Sequence, residues 1–370
     1  MSFLIMRMCW RIICVAAFIL ILDGCEKGDD KLEKGAVLNK LMDNLKARCV
    51  GRYLVDLPSA AVARGSVRFR GVQIEASPMT LNVYDEAMKD LIKARHKYGD
   101  GVPTSAHPYV YESGEVAYVK GGYFFITTDS SLTKDSPSKV VEAYKWDRGY
   151  RIKISTGATD FLNSSIKDYP SVKNMPAQDQ YDVPYKKDLI FDTLKMVQGR
   201  ADDFIPAEPG LCFVGGFLPG KARYDEAVEE SFAVQSMPDV MFTFGTHSDE
   251  PDVDNESMVA RLPKMRAYVQ SAGGRVIRSG SVRLNGMDAD EVLVEGPFAP
   301  PINGHNFFLE ANAAINSPTA PLLTFEMDNG IRTFLFSEGK QVMHASLTEG
   351  EAVELWDLIS RTVRSRPNGF

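Results

Sequence analysis

Apolar residues recur along the chain with two periods, one typical of helices and one typical of strands. Strand-like runs outnumber helical ones. The predicted helices cover 36–46, 85–98, 186–198, 258–269 and a last segment that opens at Thr348, where Glu351 completes a capping box. The predicted strands cover 49–58, 67–75, 115–119, 123–128, 140–145, 151–155, 211–219, 229–234, 240–244, 276–284, 290–295, 307–313, 322–327, 332–336 and 341–346. Residues 168–184 are predicted as a loop.

The elements occur in the same order in both halves of the chain. Each half opens with a cysteine in an apolar run closed by proline, and continues with strands, a helix, further strands and a final helix. Pro206, Pro209 and Gly210 interrupt the pattern between them. We therefore predict an α+β fold with two similar domains, 48–199 and 200–370, each a mainly antiparallel sheet with flanking helices. The shared order indicates an internal duplication, although unrelated α+β domains can share it.

The N-terminus has the features of a bacterial export signal. An apolar run at 12–22 follows two arginines and is too short to span a bilayer, which takes about 20 residues. The run ends at Cys25 in a lipobox-like pattern, from which Asp23 departs. We predict that 1–24 are removed and that a lipid on Cys25 anchors the protein, with 25–47 forming a tether and a short helix. An ordinary secretory signal is the alternative.

The residue after the lipobox cysteine bears on the final location. Glu26 stands where aspartate commonly retains lipoproteins at the inner membrane. The predicted location is therefore the periplasm, at the inner leaflet of the outer membrane.

Two cysteines remain in the exported body, Cys49 and Cys212. The periplasm is oxidising, and two thiols in such a compartment predict one disulfide, which would link the starts of the two domains. Two buried free thiols are the competing interpretation.

Composition and motifs exclude several function classes. A net charge of -7 gives no bulk attraction to nucleic acid, and a mean hydropathy of -0.17 excludes a protein with many membrane spans. The chain has no G-x-S-x-G elbow, dinucleotide fingerprint, Walker loop or H-E-x-x-H motif, and its five histidines are scattered. We predict no catalytic residues, no metal site and no cofactor.

One acidic segment has two interpretations. Asp249, Glu250, Asp252 and Asp254 lie shortly before a predicted helix, whose N-terminus favours acidic residues. They form either a solvated loop or a surface that recognises a basic partner.

Two sequence runs bear a resemblance to a known family. The run CVGRYLVDLP at 49–58, the lipobox upstream, the run GLCFVGGF at 210–217 and the helical C-terminus resemble immunity proteins against the fourth class of type VI secretion lipase effectors. The resemblance covers about 40–366. It implies an exported protein whose two α+β domains grip a secreted phospholipase like a claw, inhibiting it stoichiometrically without an active site. The alternatives are an envelope lipoprotein with a scaffolding or assembly role and an enzyme with a dispersed site.

Overall fold

The computed structural model describes residues 35, 38–97, 108–128, 134–248, 256–299, 302–313, 315, 317–331 and 342–370. The strands of this part are β1 Leu45–Val50, β2 Tyr53–Pro58, β3 Val62–Phe69, β4 Val72–Pro78, β5 Val110–Glu115, β6 Tyr123–Thr128, β7 Ser138–Asp147, β8 Tyr150–Thr159, β9 Gln198–Gly199, β10 Gly210–Phe213, β11 Gly216–Pro219, β12 Glu226–Val234, β13 Met237–His247, β14 Arg275–Arg283, β15 Asp288–Ala299, β16 Ile302–Ala311, β17 Leu322–Asn329 and β18 Arg364–Ser365. The helices are α1 Leu81–Lys97, α2 Pro170–Lys173, α3 Ala177–Gln180, α4 Val183–Met196, α5 Met258–Ser271 and α6 Glu349–Ser360.

Twelve strands from both halves form one antiparallel sheet. Its order is β14-β15-β16-β17-β13-β12-β3-β4-β8-β7-β6-β5. The N-terminal half supplies six neighbouring strands and the C-terminal half the other six, and the two sets meet where β3 pairs with β12. The α+β class with mainly antiparallel sheets and flanking helices is confirmed.

The two sets of six strands have equivalent connectivity. Counted outwards from the junction, the N-terminal strands follow the order 3-4-8-7-6-5 and the C-terminal strands the order 12-13-17-16-15-14. At the junction Ser66 pairs with Glu229, and these residues are as far apart in the chain as Cys49 and Cys212, which are separated by 163 residues. An approximate twofold axis therefore passes between Ser66 and Glu229.

The halves also exchange their last strands. The hairpin β1-β2 at the start of the N-terminal half pairs with β18 from the end of the chain. The hairpin β10-β11 at the start of the C-terminal half pairs with β9 from the end of the N-terminal half. Each half therefore completes a small three-stranded sheet of the other, which interlocks them.

Helices cover the two faces of the large sheet differently. On one face α4 and α6 pack onto the main core, with Phe191 of α4 against Phe124 and Trp356 of α6 stacked on Phe325. On the other face α1 covers β6 and β7 through Tyr84 and Met88, and α5 covers β15. Between α1 and α5, the central strands of the N-terminal half keep an open face.

Three runs predicted as single strands are hairpins. Residues 49–58 and 211–219 turn at Gly51 and Gly215, which have φ values of 57° and 71°. Residues 67–75 turn at Arg70 and Gly71, with φ values of 53° and 77°. Glycine adopts such left-handed conformations without steric cost, so a glycine within a strand-like run allows the chain to reverse direction there.

Smaller differences concern element ends. The first predicted helix ends at 43, because Leu45 already belongs to β1. The loop predicted at 168–184 contains the short helices α2 and α3 and the start of α4. Residues 342–346 are not a strand, and 332–336 lie outside the described residues. No described helix has the length and apolarity needed to cross a membrane.

Candidate functional site

The junction between the halves is built on the two cysteines. Cys49 of β1 and Cys212 of β10 form a disulfide with Cα atoms 5.7 Å apart. The backbone N–H of Gly51 donates to the carbonyl of Cys212 at 2.9 Å, and that of Cys212 donates back to Gly51 at 2.8 Å. Leu54 and Phe217 bury the bond. The two initial hairpins are thereby held back to back.

A buried ion pair crosses the same junction. Arg52 donates to both carboxylate oxygens of Glu226, at 2.8 and 2.7 Å, and also to the carbonyls of Gly220 and Gly369. Both side chains are almost fully buried. A planar guanidinium bound in two places fixes orientation as well as distance. The pair therefore aligns β12 with the first hairpin and with the C-terminal segment.

Two further buried arginines hold the linker between the halves. Arg200 donates to the carbonyls of Phe204, Phe213 and Gly216 at 2.8 to 3.0 Å. Arg366 donates to the carbonyls of Pro206, Glu208 and Gly210. Burial lowers the pKa of Arg366 to about 10. The chain segment between the halves is thus bound at both of its ends and is not a free hinge.

Glu230 lies on the core face of β12, close to this cluster. Burial raises its pKa to about 8, and the positive charge of Arg200 opposes that shift. Its carboxyl accepts a hydrogen bond from the backbone of Val214, while Oε1 has no partner within the described ranges. A protonated carboxyl at neutral pH is the state that this environment favours.

The open face of the sheet is basic in the N-terminal half. Arg64 and Arg68 point outwards from β3, and Arg151 and Lys153 point outwards from β8, with Glu75 of β4 between them. Lys153 reaches Glu75 at 3.3 Å. In the part of the chain that the structure describes, Arg64 and Arg151 have no carboxylate partner, and Arg151 lies over the ring of Tyr144. This face can bind an acidic group.

The same face is acidic in the C-terminal half. Glu326 and Asp328 of β17 share the side chain of Asn306, which donates to Asp328 at 2.8 Å and also to Glu326. Burial and the neighbouring Glu326 raise the pKa of Asp328 to about 7. This part of the face is less exposed to solvent than the basic part, since Ala233 and Met241 of the adjacent strands are buried. The accessible charge of the open face is therefore concentrated on the basic side.

Three described residues have ligand atoms close enough to share a metal ion. These atoms of Glu295, His305 and Glu349 all lie within 4.8 Å of one another. Arg275 already pairs with both carboxylates, and His305 is hydrogen-bonded to Asn329 at 2.8 Å. Burial lowers the pKa of His305. The geometry is that of an ion-pair network around Arg275, in which the guanidinium already offsets one of the two carboxylate charges.

Most of the predicted site residues cannot be compared with the structure. Cys25, Asp249, Glu250, Asp252 and Asp254 lie outside the described residues. Ser248, which follows β13, lies beside Glu226, because its backbone N–H donates a hydrogen bond to the Glu226 carbonyl. The described chain resumes at 256, just before α5. The Glu226 end of β12 is the end remote from Ser231, the residue that pairs with Arg64. Ser248, the last described residue before the acidic segment, therefore lies away from Arg64.

The basic open face was missed by the sequence interpretation. Its signal is the alternation in β3, where Arg64, Ser66 and Arg68 are separated by residues of the opposite face, and in β8, where Arg151 and Lys153 flank Ile152. Such alternation predicts a polar face for each strand. It does not reveal that β3 and β8 lie on either side of β4 in one sheet.

Comparison with known families identifies the chain. The family model described as Tle cognate immunity protein 4 N-terminal domain matches residues 46–200, and the one described as the C-terminal domain matches residues 204–368. Together they cover most of the chain, which belongs to this family of type VI secretion system immunity proteins. No curated protein sequence matches it significantly.

Solved structures of similar fold cover nearly the whole of their own chains. The apo immunity protein TplEi of the type VI secretion system of Pseudomonas aeruginosa aligns with a TM-score of 0.63 and 18% identity, over 88% of this chain and 98% of that one. The Tle4-Tli4 complex gives 0.64 and 19%, over 89% and 99%. TplEi complexed with a peptide called "L" gives 0.59 and 18%, over 88% and 99%. At this identity the likeness concerns the fold.

Proposed function

We propose that this protein binds and inhibits a cognate type VI secretion lipase effector in the periplasm, by one-to-one occlusion and without chemistry of its own. The observation that carries the proposal is the match of both halves to the two domains of one immunity family. One similar fold is that of a protein in a Tle4-Tli4 complex. The cognate partner of this chain is, on this proposal, a phospholipase.

The rigid junction supports inhibition by occlusion. An inhibitor shifts an enzyme towards its inactive conformation only if it binds that conformation more tightly than the active one. To move the ratio of inactive to active enzyme from 1:99 to 99:1, the difference in binding free energy must be about 5.5 kcal/mol. A preorganised surface loses little ordering entropy on binding. The disulfide, the pair Arg52–Glu226 and the exchanged strands hold the two halves in one arrangement. They can therefore present one fixed surface to the lipase.

Titration of a purified lipase with the mature protein tests this proposal. The lipase to use is one encoded beside the gene of this protein. We expect activity on phospholipid to fall linearly and to reach its minimum at one equivalent, and to return when the complex is separated. Loss of activity far below one equivalent would indicate catalysis by this protein, and absence of a complex would favour an envelope role.

We further propose that a lipid on Cys25 anchors the protein at the inner leaflet of the outer membrane. A single acyl chain binds membranes only marginally, whereas several chains on one cysteine anchor stably. Labelling of cells with palmitate tests the anchor. We expect label on the wild-type protein and none on Cys25→Ser, and equal label on both would refute it.

The acidic segment has a separate proposed role in the encounter with the lipase. If Asp249, Glu250, Asp252 and Asp254 face a basic patch of the partner, their joint replacement by Asn and Gln slows association and weakens its dependence on salt, while dissociation changes little. Stopped-flow association at two ionic strengths measures both effects. An unchanged association rate would leave these residues as a solvated loop.

A further inference from the structure

A cleft opens in the middle of the twelve-stranded sheet. Strands β3 and β4 pair only where Val67, Arg68 and Phe69 meet Ile74, Gln73 and Val72. Beyond that point β3 follows β12 as far as Val62, while β4 follows β8 as far as Pro78. The two strands diverge, and a cavity of about 490 Å³ lies between them. This volume falls in the range of ~300–1,000 Å³ that is usual for binding pockets.

The equivalent place in the C-terminal half is closed. The strands that correspond to β3 and β4 are β12 and β13, and they stay paired from Ala227 with His247 to Val234 with Met237. The cleft is therefore not a consequence of the repeated topology. It is a feature of the N-terminal half alone among the described residues.

The walls of the cleft are strand edges without partners. Residues 62–66 of β3 pair with β12 on one side, and residues 75–78 of β4 pair with β8 on one side. Their other edges face each other across the cavity, with no strand between them in the described part of the chain. An unpaired edge presents backbone N–H and C=O groups to any extended peptide that reaches it.

The rim of the cleft is positively charged. Arg64 stands on one wall, Arg151 and Lys153 stand on the strand behind the other wall, and Glu75 is the acidic residue among the cavity-lining side chains. Lys153 is paired with Glu75, which leaves the guanidinium groups of Arg64 and Arg151 available. Arginine binds a carboxylate through two parallel hydrogen bonds. The rim is therefore complementary to aspartate or glutamate side chains.

The floor of the cleft is apolar and firmly held. It is formed by Val67 and Ile74 of the large sheet and by Phe213 and Val214 of the hairpin β10-β11. Gly215 continues this turn so close to β4 that a Cβ on it would lie 3.2 Å from the carbonyl oxygen of Ala76. Arg200 holds the turn from the other side. The floor does not need to reorganise on binding.

We propose that this cleft receives an extended, acidic segment of the cognate lipase. The segment adds as a strand to a free edge of β3 or β4, and its carboxylates bind Arg64 and Arg151 at the rim. The proposal rests on the proposed function and assigns the surface by which the N-terminal half holds the lipase. When a peptide adds as a strand to an existing sheet, its backbone hydrogen bonds provide affinity and the contacts of its side chains provide specificity.

Hydrogen–deuterium exchange of the wild-type complex is the first test. We expect residues 62–66 or residues 75–78 to become protected when the purified lipase is added, because the backbone groups of the strand that receives the segment gain partners. Unchanged exchange in both segments, in a complex that forms and inhibits, overturns the cleft proposal and leaves the proposed function standing. A wild-type protein that neither binds nor inhibits the lipase overturns both.

Charge reversal is the second test. The variant Arg64→Glu/Arg151→Glu is compared with the control Lys167→Glu/Lys195→Glu, which changes the net charge equally at exposed positions outside the cleft. We expect the cleft variant to bind the lipase at least about 10-fold more weakly, the loss that corresponds to one charge-assisted hydrogen bond, and the control to stay within about 3-fold. Thermal unfolding of both variants checks the fold.

Overlapping synthetic peptides of the lipase and anionic vesicles complete the test. We expect an acidic peptide to compete with the lipase for the wild-type protein and to lose this effect with the cleft variant. If only neutral or basic peptides compete, the charge assignment is wrong. If the cleft variant binds the lipase normally but no longer binds vesicles containing phosphatidylglycerol, the rim serves a membrane surface and the proposal fails.

Discussion

The surroundings of Glu230 raise the pKa of its carboxyl strongly. It sits on the core face of β12 opposite Gly65, where a Cβ on the glycine would lie 2.8 Å from the glutamate Cγ. The guanidinium group of the nearby Arg200 is bound by the backbone carbonyl oxygens of Phe204, Phe213 and Gly216. Glu230 instead has a buried oxygen without a hydrogen-bond partner among the described residues, and these surroundings favour its protonated form.

The raised pKa of Glu230 predicts a pH-dependent loss of stability. The folded-state pKa of about 8 lies above the ordinary value of 4.5, so the folded protein binds the proton more tightly than the unfolded chain. The contribution of Glu230 is therefore fully present below about pH 4.5 and is lost as the pH rises towards about 8 and beyond. We expect Glu230→Gln to match the wild type at about pH 4 and to exceed its free energy of unfolding by more than about 1.4 kcal/mol at pH 9.

Urea unfolding at several pH values measures this difference. The control is Glu229→Gln, which changes an exposed neighbour on the opposite face of the same strand. Glu229→Gln also removes a charge that raises the pKa of Glu326, whereas titrating groups that interact with neither substituted residue cancel in the comparison. Parallel pH profiles for wild type and Glu230→Gln would contradict the prediction.

At the scale of elements, the end of α6 that faces β17 depends on a local cap. The Thr348 side chain accepts a hydrogen bond from the backbone N–H of Glu351, and the Glu351 carboxylate accepts one from the backbone N–H of Thr348. This capping box was predicted from the two residue types and their spacing, and it is confirmed. The preceding Leu347 is buried and bonded to Asn329 through its backbone. The cap thus sets where the helix starts relative to the sheet.

Removal of the cap should lower stability by a small, measurable amount. We expect Thr348→Ala to reduce the free energy of unfolding by about 1 kcal/mol, because a backbone N–H of the first turn loses its acceptor. Thr319→Ala, at an exposed position of a turn, serves as the matched control. Equal denaturation midpoints for the two variants would show that α6 does not need the cap.

At the scale of the whole molecule, the two halves act as one body. A single hydrophobic cluster runs from β2 and β7 in the first half to β13, β17 and α6 in the second. Strands β9 and β18 are exchanged, and Arg52 and Arg366 tie the C-terminal segment to the junction. The halves are domains by family and by topology, but they do not have separate cores.

The disulfide should therefore stabilise the molecule as a whole. Its cysteines are 163 residues apart, and closing a loop of that length contributes at most about 5 kcal/mol in the chain-entropy model. We expect Cys49→Ala/Cys212→Ala to unfold at a lower urea concentration, because its free energy of unfolding falls by about 2–5 kcal/mol. Reductant should not change the stability of this variant. Wild-type protein treated with reductant should approach the variant. A variant as stable as the oxidised wild type would exclude this role.

Much of the architecture can be read from local pattern. The α+β class, the repeated order of elements and the capping box all follow from side-chain period and from residues that act on their own turn. The hairpins at Gly51 and Gly215 were missed because a glycine within an apolar run is compatible with both a straight strand and a turn. The basic alternation of β3 and β8 was also present in the sequence, where it indicated two polar faces and nothing more.

The sequence by itself determined the α+β class, most of the segments that form strands, the capping box that begins the last helix, and the shared order of elements in the two halves. Only the tertiary structure decided that β3 pairs with β12 and that β3 and β4 diverge around a basic cleft. It also decided that β9 and β18 each complete a small sheet of the opposite half. The physical reason is that side-chain period is a property of neighbouring residues, whereas the pairing of strand edges far apart in the chain depends on which surfaces fit together once the core has formed.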